Sequence, residues 1–284
     1  MKKIIFLLIA IIFSGFVIAQ QKPAYVLYNA KGKKVSYKKM IATLEKKDIV
    51  LFGEFHNNPI SHWLQLELSK DLGAKRKLTM GAEMFEQDNQ QALDAYLQGK
   101  ISAKGFDSSA RLWNNYKTDY APLVNYAKEN NIVFVASNVP RRYASLVAKY
   151  GFAALDTLST IEKSWIAPLP IAFDSTLPQY KKMAEMMQGH NSKNIVKAQA
   201  LKDATMAYFI LKYFVPGNLF IHFNGSYHSE YSEGIGWYLR TQQSQLKYAT
   251  ITTVSQKNLS SLLIENKGKA DFIICVDEDM TSTY

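Results

Sequence analysis

Four side chains suited to acid–base chemistry or metal binding stand in two short motifs and after one further strand. The motifs read Gly-Glu-Phe-His at residues 53–56 and Gly-Ser-Tyr-His at residues 225–228, and each follows an apolar run that predicts a buried strand. A third predicted strand, residues 77–80, leads to a carboxylate three positions later. Because open α/β sheets bind ligands beyond the carboxyl ends of their strands, we expect one shared site. Its candidate residues are Glu54, His56, Glu83 and His228.

Carboxylates and imidazoles in this combination have two chemical uses. They can bind a divalent transition metal such as zinc, manganese or iron, which would polarise a carbonyl or activate a water while the spare glutamate acts as general base. Without a metal, the same groups can serve as an acid–base set. A purely structural alternative is that they satisfy one another and cap helix N-termini. His62, on a predicted helix, and His222, inside a predicted strand, are expected to be structural.

The four residues depend on a sheet that brings their strands to one edge. Apolar strand-like runs alternate with helical patterns along most of the chain, which predicts an α/β fold with a mainly parallel sheet covered by helices on both faces. We expect a single domain over residues 20–284, built as a three-layer α/β/α sandwich. A polar helix is predicted between the last two strands, residues 248–254 and 272–276.

A different pattern, typical of an inserted helical lid, occupies residues 166–215. Prolines open it, a methionine-rich stretch follows, and a longer helix is predicted to begin near Ile195. Phenolate, imidazole and thioether groups are all used as axial ligands of haem iron. A methionine stripe at helical spacing is equally typical of adaptable core packing. The residues of this segment suited to haem ligation are Tyr180, Met183, Met186, Met187 and His190.

Arg141 follows a further predicted strand, residues 132–136, within the sequence Asn138-Val139-Pro140-Arg141. Its guanidinium offers a fork of donors at the same rim of the sheet and suits a carboxylate-bearing ligand. The structural alternative is the start of a helix, with a cap and a proline in the first turn. The sequence leaves both interpretations open.

Composition and the first residues predict an exported protein. Two lysines precede an apolar stretch over residues 4–17, and small Ala19 precedes polar Gln20, which predicts a signal peptide over residues 1–19. No second apolar span follows that could anchor the mature chain. The single cysteine, Cys275, is far from the predicted cleavage site, so neither lipid attachment there nor an intramolecular disulfide is expected. We therefore expect a soluble periplasmic protein.

The net charge of the chain gives only weak information about the class of ligand that it binds. The formal charge is +10, and about +8 remains without the two lysines of the predicted signal. This balance favours anionic ligands such as the propionates of a porphyrin, although scattered lysines are also typical of an ordinary solvated surface. No recognisable nucleic-acid-binding module is present in the sequence.

Five motifs occur in the order of a known family, and they span roughly residues 40–245. In this order the chain resembles the ChaN family of haem-binding uptake proteins, in a superfamily with Tiki-type metalloproteases, TraB-like proteins and erythromycin esterases. The motifs are Leu51-Phe52-Gly53-Glu54-Phe55-His56-Asn57, Gly81-Ala82-Glu83-Met84-Phe85 with Gln91 and Leu93, Ala136-Ser137-Asn138-Val139-Pro140-Arg141, Ala198-Gln199-Ala200-Leu201-Lys202-Asp203-Ala204-Thr205-Met206-Ala207, and Gly225-Ser226-Tyr227-His228.

The resemblance implies an α/β/α core with a small helical subdomain, in an exported protein of iron acquisition. It implies haem bound as cofacial pairs between two protomers, with tyrosine ligation, and an outer-membrane haem transporter as an expected partner. Tyr180 and His190 are then the expected ligands, and Arg141 an expected haem contact. Several relatives are lipoproteins, whereas this chain lacks the cysteine, which favours a free periplasmic protein.

Three functional hypotheses follow, in order of preference. The first is a haem-binding protein of haem and iron uptake. The second is a metal-dependent hydrolase, esterase- or protease-like, that uses the glutamates and histidines at the sheet edge. The third is a periplasmic scaffold whose polar cluster is vestigial. Haem binding and hydrolysis are compatible in space, because the lid and the sheet edge are different parts of the chain.

Overall fold

A seven-stranded sheet forms the centre of the computed structural model, which describes residues 22–187 and 192–284. In space the strands follow the order β1-β7-β6-β2-β5-β3-β4. All neighbours run parallel except β1 and β7, which are antiparallel. The predicted α/β fold with a mainly parallel sheet is confirmed. The strands are β1 (Tyr25–Asn29), β2 (Ile49–Glu54), β3 (Leu78–Glu86), β4 (Val133–Asn138), β5 (Leu219–Gly225), β6 (Tyr248–Gln256) and β7 (Phe272–Asp277).

Helices cover both faces of the sheet, because successive side chains of a strand point to opposite faces. In β2, Val50 and Phe52 pack with α1, α2, α3 and α5, whereas Ile49 and Leu51 pack with α6, α9 and α10. These two apolar layers make the sandwich α/β/α, as predicted. The helices are α1 (Tyr37–Leu44), α2 (Pro59–Gly73), α3 (Gln90–Leu97), α4 (Ala103–Ser109), α5 (Ala121–Glu129), α6 (Arg141–Tyr150), α7 (Thr160–Lys163), α8 (Pro178–Met186), α9 (Ser192–Tyr213) and α10 (Ile235–Gln242).

Two local predictions differ from the structure. The strand predicted at residues 77–80 is β3, which continues to Glu86, so that Glu83 lies within a strand rather than after one. The polar helix predicted between β6 and β7 is wrong, since that segment contains turns and one short 3₁₀ turn at Ile264–Asn266. The side chain of Gln256 explains why the segment needs no helix: it donates to the Ser261 carbonyl at 2.7 Å and accepts from the Leu263 amide at 3.2 Å.

The segment predicted to be a lid holds α8 and all of α9, preceded by residues without regular structure. Tyr180 of α8 packs against Val196 and Ala200 of α9. Upstream, Ile166 and Ile171 pack into the apolar layer of α6, α9 and α10. The segment is therefore fastened to the sandwich through both its irregular part and its first helix.

Two sequence-based predictions fall outside the described residues. The predicted signal peptide, residues 1–19, is one, and His190 is the other. Within residues 22–187 and 192–284, no helix has both the length and the apolar character needed to cross a bilayer.

Candidate functional site

The carboxyl ends of β2, β5 and β3 bring the four predicted site residues to one edge of the sheet. Glu54 ends β2, and His56 follows two positions later. Glu83 lies in β3, and His228 closes the short 3₁₀ turn Ser226–His228 directly after β5. In the sheet, β5 lies between β2 and β3. The four side chains form two pairs in contact, Glu54 with His56 and Glu83 with His228. Their chemical role stays a prediction.

The first group is a buried carboxylate that orients a partly exposed imidazole. Oε1 of Glu54 accepts from the Tyr120 hydroxyl at 2.7 Å and lies 2.8 Å from Nδ1 of His56, while Oε2 accepts from the amide of Gln65. Burial alone would lower the pKa of His56, but the hydrogen bond to Glu54 and the charges of Glu83 and Glu54 together outweigh burial, and the pKa is raised. Nδ1 is thus held as a donor to Glu54, and Nε2 lies against the backbone of Gly225.

The second group is an imidazole held between two buried carboxylates. Nε2 of His228 lies 3.0 Å from Oε1 of Glu83, and Nδ1 lies 2.5 Å from Oδ1 of Asp203. Burial opposes the charged imidazole, yet the two carboxylates raise the pKa of His228 to about 9. Burial also opposes ionisation of Glu83, but the charge of His228 holds the pKa of Glu83 well below its usual range. Burial dominates at Asp203 and raises its pKa.

Asp203 is a site residue that sequence reasoning missed, although it lies within one of the quoted motifs. It is 1% exposed, on the face of α9 that also carries Ala200 and Ala204. An ionisable residue flanked by apolar ones on the buried side of a helix is the signal that could have identified it. Its second oxygen accepts from the Tyr180 hydroxyl at 2.8 Å, so the chain of contacts continues from the sheet edge to α8.

The glycines of the two motifs are required by close packing rather than by unusual backbone angles. A Cβ on Gly225 would lie 2.8 Å from Nε2 of His56, and the Gly225 amide donates to Oε2 of Glu83 at 2.8 Å. A Cβ on Gly53 would lie 2.9 Å from the Ile251 carbonyl oxygen. Neither glycine has a positive φ, so backbone conformation does not by itself require glycine at these positions.

The predicted metal centre of Glu54, His56, Glu83 and His228 is not supported. Within residues 22–187 and 192–284, no three His, Cys, Asp or Glu side chains are arranged to hold one metal ion. Both ring nitrogens of His228 already face carboxylates, so a protonated imidazole has no lone pair for a metal. The metal-dependent hydrolase is consequently not favoured.

Among the described residues, the other two histidines, His62 and His222, are buried among protein partners. Nε2 of His62 lies 3.1 Å from the His56 carbonyl oxygen. His222 lies 2.7 Å from the Ser137 hydroxyl, and burial lowers the pKa of its ring to about 4. These contacts agree with the structural roles expected for both rings.

Two adjoining clefts open at this edge, and His56, His228 and Tyr284 line both. The first cleft, about 680 Å³, contains acidic, basic and amide side chains from β3, β4, α6, α9 and the segment 111–115. Sequence reasoning did not single out this last segment, in which Trp113 packs edge-on against His56 at 4.9 Å between ring centroids. The second cleft, about 550 Å³, is lined by Phe55, Met183, Gln199 and Tyr227 among others.

Residues 40–239 match the sequence model of the family described as haem-binding uptake, Tiki superfamily, ChaN. The chain belongs to this ChaN family. Its fold is similar to that of ChaN of Campylobacter jejuni, whose structure is described as showing cofacial haem binding, with a TM-score of 0.67, 19% identity, and 88% of this chain and 96% of that chain covered.

Two further proteins are similar to this ChaN-family chain. An erythromycin esterase, EreC H289N in its open conformation, has a TM-score of 0.50 at 11% identity, over 88% of this chain and 97% of that one. The protein RETICULATA-RELATED 5, chloroplastic, of Arabidopsis thaliana is 22% identical over 265 residues. These cover 86% of this chain, which spans about a third (35%) of that plant protein.

The residues predicted to contact haem in this ChaN-family chain do not lie together. Tyr180 is 2% exposed, lines neither cleft, and donates its hydroxyl to Asp203. Arg141 begins α6 at the first cleft, whereas Met183 lines the second. Met186 and Met187 are 68% and 40% exposed at the end of α8. The assignments of Tyr180, His190 and Arg141 stay predictions.

Proposed function

We propose that this chain is an exported haem-binding protein of haem and iron uptake. Membership of the ChaN family supports the proposal, and so does the cofacial haem binding described for the protein of Campylobacter jejuni. The observation on this chain that carries it is the pair of exposed methionines, Met186 and Met187, at the end of α8 beside Met183 of the second cleft. Large apolar side chains grouped on a surface are typical of a binding site.

The side chains proposed to contact haem have the chemistry that a haem requires. A porphyrin has a broad apolar face, which suits Met183, Met186 and Met187, since thioether side chains adapt to flat ring systems. Its propionates are carboxylates, which suit the forked donors of Arg141. Bound haem would supply an iron that takes one or two axial ligands from the protein.

Tyr180 and His190 are the proposed ligands, and Tyr180 has a specific obstacle. Burial first, and the charge of Asp203 second, raise the pKa of the Tyr180 hydroxyl well above its usual value. Ligation through the phenolate therefore requires the bond to Asp203 to be lost and α8 to move. His190 has the more common chemistry for the task, since neutral imidazole binds haem iron readily at neutral pH.

A spectroscopic titration tests the proposal directly. Apo protein is titrated with haem at micromolar concentration, and the Soret band is followed for the wild type, Tyr180→Phe and His190→Ala. We expect a Soret shift in the wild type, and a displaced band with weaker binding in the variant that removes the ligand. Arg141→Ala is expected to weaken binding by about fivefold without moving the band, because a partly solvated charge pair contributes up to about 1 kcal/mol.

Tyr208→Phe is the matched control, since Tyr208 is a partly buried tyrosine of α9 in the apolar layer next to the sheet. It should titrate like the wild type. A wild type without any Soret shift would refute haem binding. Unchanged bands in both Tyr180→Phe and His190→Ala would refute both ligand assignments while leaving haem binding intact.

We propose in addition that the protein is exported to the periplasm and receives haem from an outer-membrane haem transporter. The charged, apolar and small-residue pattern of residues 1–19 supports export. Cell fractionation, with amino-terminal sequencing of the periplasmic form, should give a mature chain that begins at Gln20. A chain that keeps residues 1–19 and stays with the cytoplasmic fraction would contradict export.

A further inference from the structure

The first cleft contains two cations that are not neutralised by neighbouring carboxylates. Arg111 is bound to Glu86 and Asp88, and Arg142 is bound to Asp88 at 2.6 Å. In contrast, no carboxylate of the described residues lies within 4.0 Å of the charged groups of Arg141 or Lys202. Charged side chains that line a cleft without partners are available to a ligand of opposite sign.

The two carboxylates in the same cleft do not cancel this charge. Glu86 is bound by Arg111. Glu83 faces His228 and accepts from the Gly225 amide, so these two groups meet most of its charge; the charge of Lys202 also lowers the pKa of Glu83, but less than the charges of His228 and His56 do. Arg141 is also the first residue of the ten-residue helix α6, whose N-terminus has no side-chain cap. The free amides of a helix N-terminus add to the attraction for an anion.

A separate observation at Asn138 points to a ligand with a donor group. Asn138 ends β4, lines the first cleft and is 8% exposed. Its Oδ1 is buried and has no hydrogen-bond partner among the described residues. Buried amide oxygens in folded proteins are almost always hydrogen-bonded, so an unpaired one beside a cleft is a position for a donor from outside the chain.

We propose that the first cleft binds a small hydroxylated acid, whose carboxylate or phosphate group pairs with Arg141 and Lys202 and whose hydroxyl donates to Asn138. Two residues separate Asn138 from Arg141 along the chain, and Lys202 reaches the same cleft from α9. The cleft is large enough for such a molecule with accompanying water, at about 680 Å³. This site shares Arg141 with the proposed haem contact, whereas Asn138 and Lys202 are assigned to the small acid alone, and none of the three is a proposed iron ligand.

Matched pairs of acids that differ only in one hydroxyl test this proposal. Calorimetric titration of the full-length mature chain with malate and succinate probes the carboxylate form, and 2-hydroxypropyl phosphate and propyl phosphate probe the phosphate form. We expect one pair to bind, with the hydroxylated member about tenfold tighter, because an unpaired buried acceptor discriminates against the analogue that cannot satisfy it. The pair that binds identifies the acid group.

Variants assign the three contacts separately. Arg141→Ala and Lys202→Ala should each weaken the binding of both acids of the pair by a similar factor. The reason is that the side chains of Arg141 and Lys202 contact the acid group, which both molecules have. Asn138→Leu should remove the preference for the hydroxylated member while the other member binds as before. Lys197→Ala is the control on α9: Lys197 is absent from the described lining of both clefts and should bind like the wild type. Circular dichroism shows which variants are folded.

Three outcomes would overturn the site. One is the absence of binding by all four acids at millimolar concentration to the folded wild type. Another is a Lys197→Ala effect as large as that of Lys202→Ala, which would make the attraction a general effect of net charge. The last is an Asn138→Leu variant that folds and keeps the full preference for the hydroxylated acid. The Soret titration of the same wild type reports haem binding separately, so the two proposals can fail independently.

Discussion

His228 shows how a single ionisable residue can be kept charged inside a protein. Its ring is 6% exposed and is in contact with two carboxylates, Glu83 at 3.0 Å and Asp203 at 2.5 Å. Removing one member of such a group leaves the remaining charges buried and uncompensated, which is strongly destabilising. The group therefore contributes to stability only while His228 carries its proton.

The stability of the protein should fall as pH rises through the pKa of His228. The folded pKa of about 9 lies above the reference value of 6.5, so the contribution is fully present below about pH 6.5 and is lost as pH rises to about 9. The difference corresponds to about 3 kcal/mol of unfolding free energy. Urea unfolding at intervals between pH 6 and pH 9.5 measures it.

His228→Asn provides the control for that titration. The variant should be less stable than the wild type by about 3–5 kcal/mol at pH 6.5, because two buried carboxylates lose the charge between them. Its free energy of unfolding should also vary less over the same pH range. Equal pH dependence in both proteins would mean that His228 does not take up a proton on folding.

Much of this residue-scale site could be predicted, and the missing part has a physical cause. Glu54, His56, Glu83 and His228 follow or end apolar runs, and parallel strands place such positions at one edge. Asp203 comes from α9, the helix that precedes β5, and Trp113 and Asn115 come from an irregular segment. No pattern within one sequence states which helix residue faces a given strand end. Tyr180 lies in the predicted helical segment, but its burial depends on the packing of α8 against α9, which the sequence pattern does not show either.

At the scale of elements, β5 and its turn hold the two halves of the site together. Gly225 ends β5, pairs in register with Glu54 of β2, and donates its amide to Glu83 of β3. The imidazole of His56 lies directly against the Gly225 backbone. A side chain at this position would separate the two groups.

Gly225→Ala should therefore destabilise the protein and displace His56. The added Cβ would lie 2.8 Å from Nε2 and 2.9 Å from Cε1 of that ring, and such overpacking costs about 1–3 kcal/mol. Urea unfolding measures the loss, and the NMR titration of the His56 ring should show a pKa closer to its ordinary value, because the bond to Glu54 that raises it is strained. Unchanged stability and an unchanged His56 titration would contradict this account of the glycine.

Gly105→Ala is the matched control for that substitution. Gly105 lies inside α4, and the nearest atom to its added Cβ is the Ile101 Cβ at 3.3 Å. An alanine within a helix restricts the unfolded chain, so the variant should be equal to the wild type or more stable by up to about 1 kcal/mol. A loss at Gly105 as large as that at Gly225 would show that the measured effect is not specific to the His56 contact.

Whole elements were easier to predict than their ends. The apolar runs in β2 and β5 are so continuous that burial on both faces follows from composition alone. In contrast, β3 pairs with β5 only as far as Ala82, and its pairing with β4 is interrupted there and resumes at Glu86, which a single sequence does not reveal. The link between β6 and β7 is irregular because one buried side chain, Gln256, replaces the hydrogen bonds that a helix would provide.

On the scale of the whole molecule, the three layers leave the end of α8 with an unusual surface. Met186 is 68% exposed and Met187 is 40% exposed, although α8 is fastened to α9 through Tyr180. Neither methionine contributes to the apolar layers beside the sheet. If haem is bound as a cofacial pair between two protomers, as the family resemblance predicts, this is the surface that would be covered.

Haem should accordingly convert the apo chain into a dimer, and the exposed methionines should determine how stable that dimer is. Burial of a methionine side chain contributes about 1.5–3 kcal/mol, so Met186→Ser combined with Met187→Ser should weaken the dimer by at least about tenfold. Sedimentation velocity with and without saturating haem measures the dimer, and the Soret band shows that haem is still bound. Val215→Ser is the control, because Val215 is 50% exposed but follows α9 at its far end from α8. A haem-saturated chain that stays monomeric would rule out the paired arrangement, and an equal effect of Val215→Ser would rule out this surface.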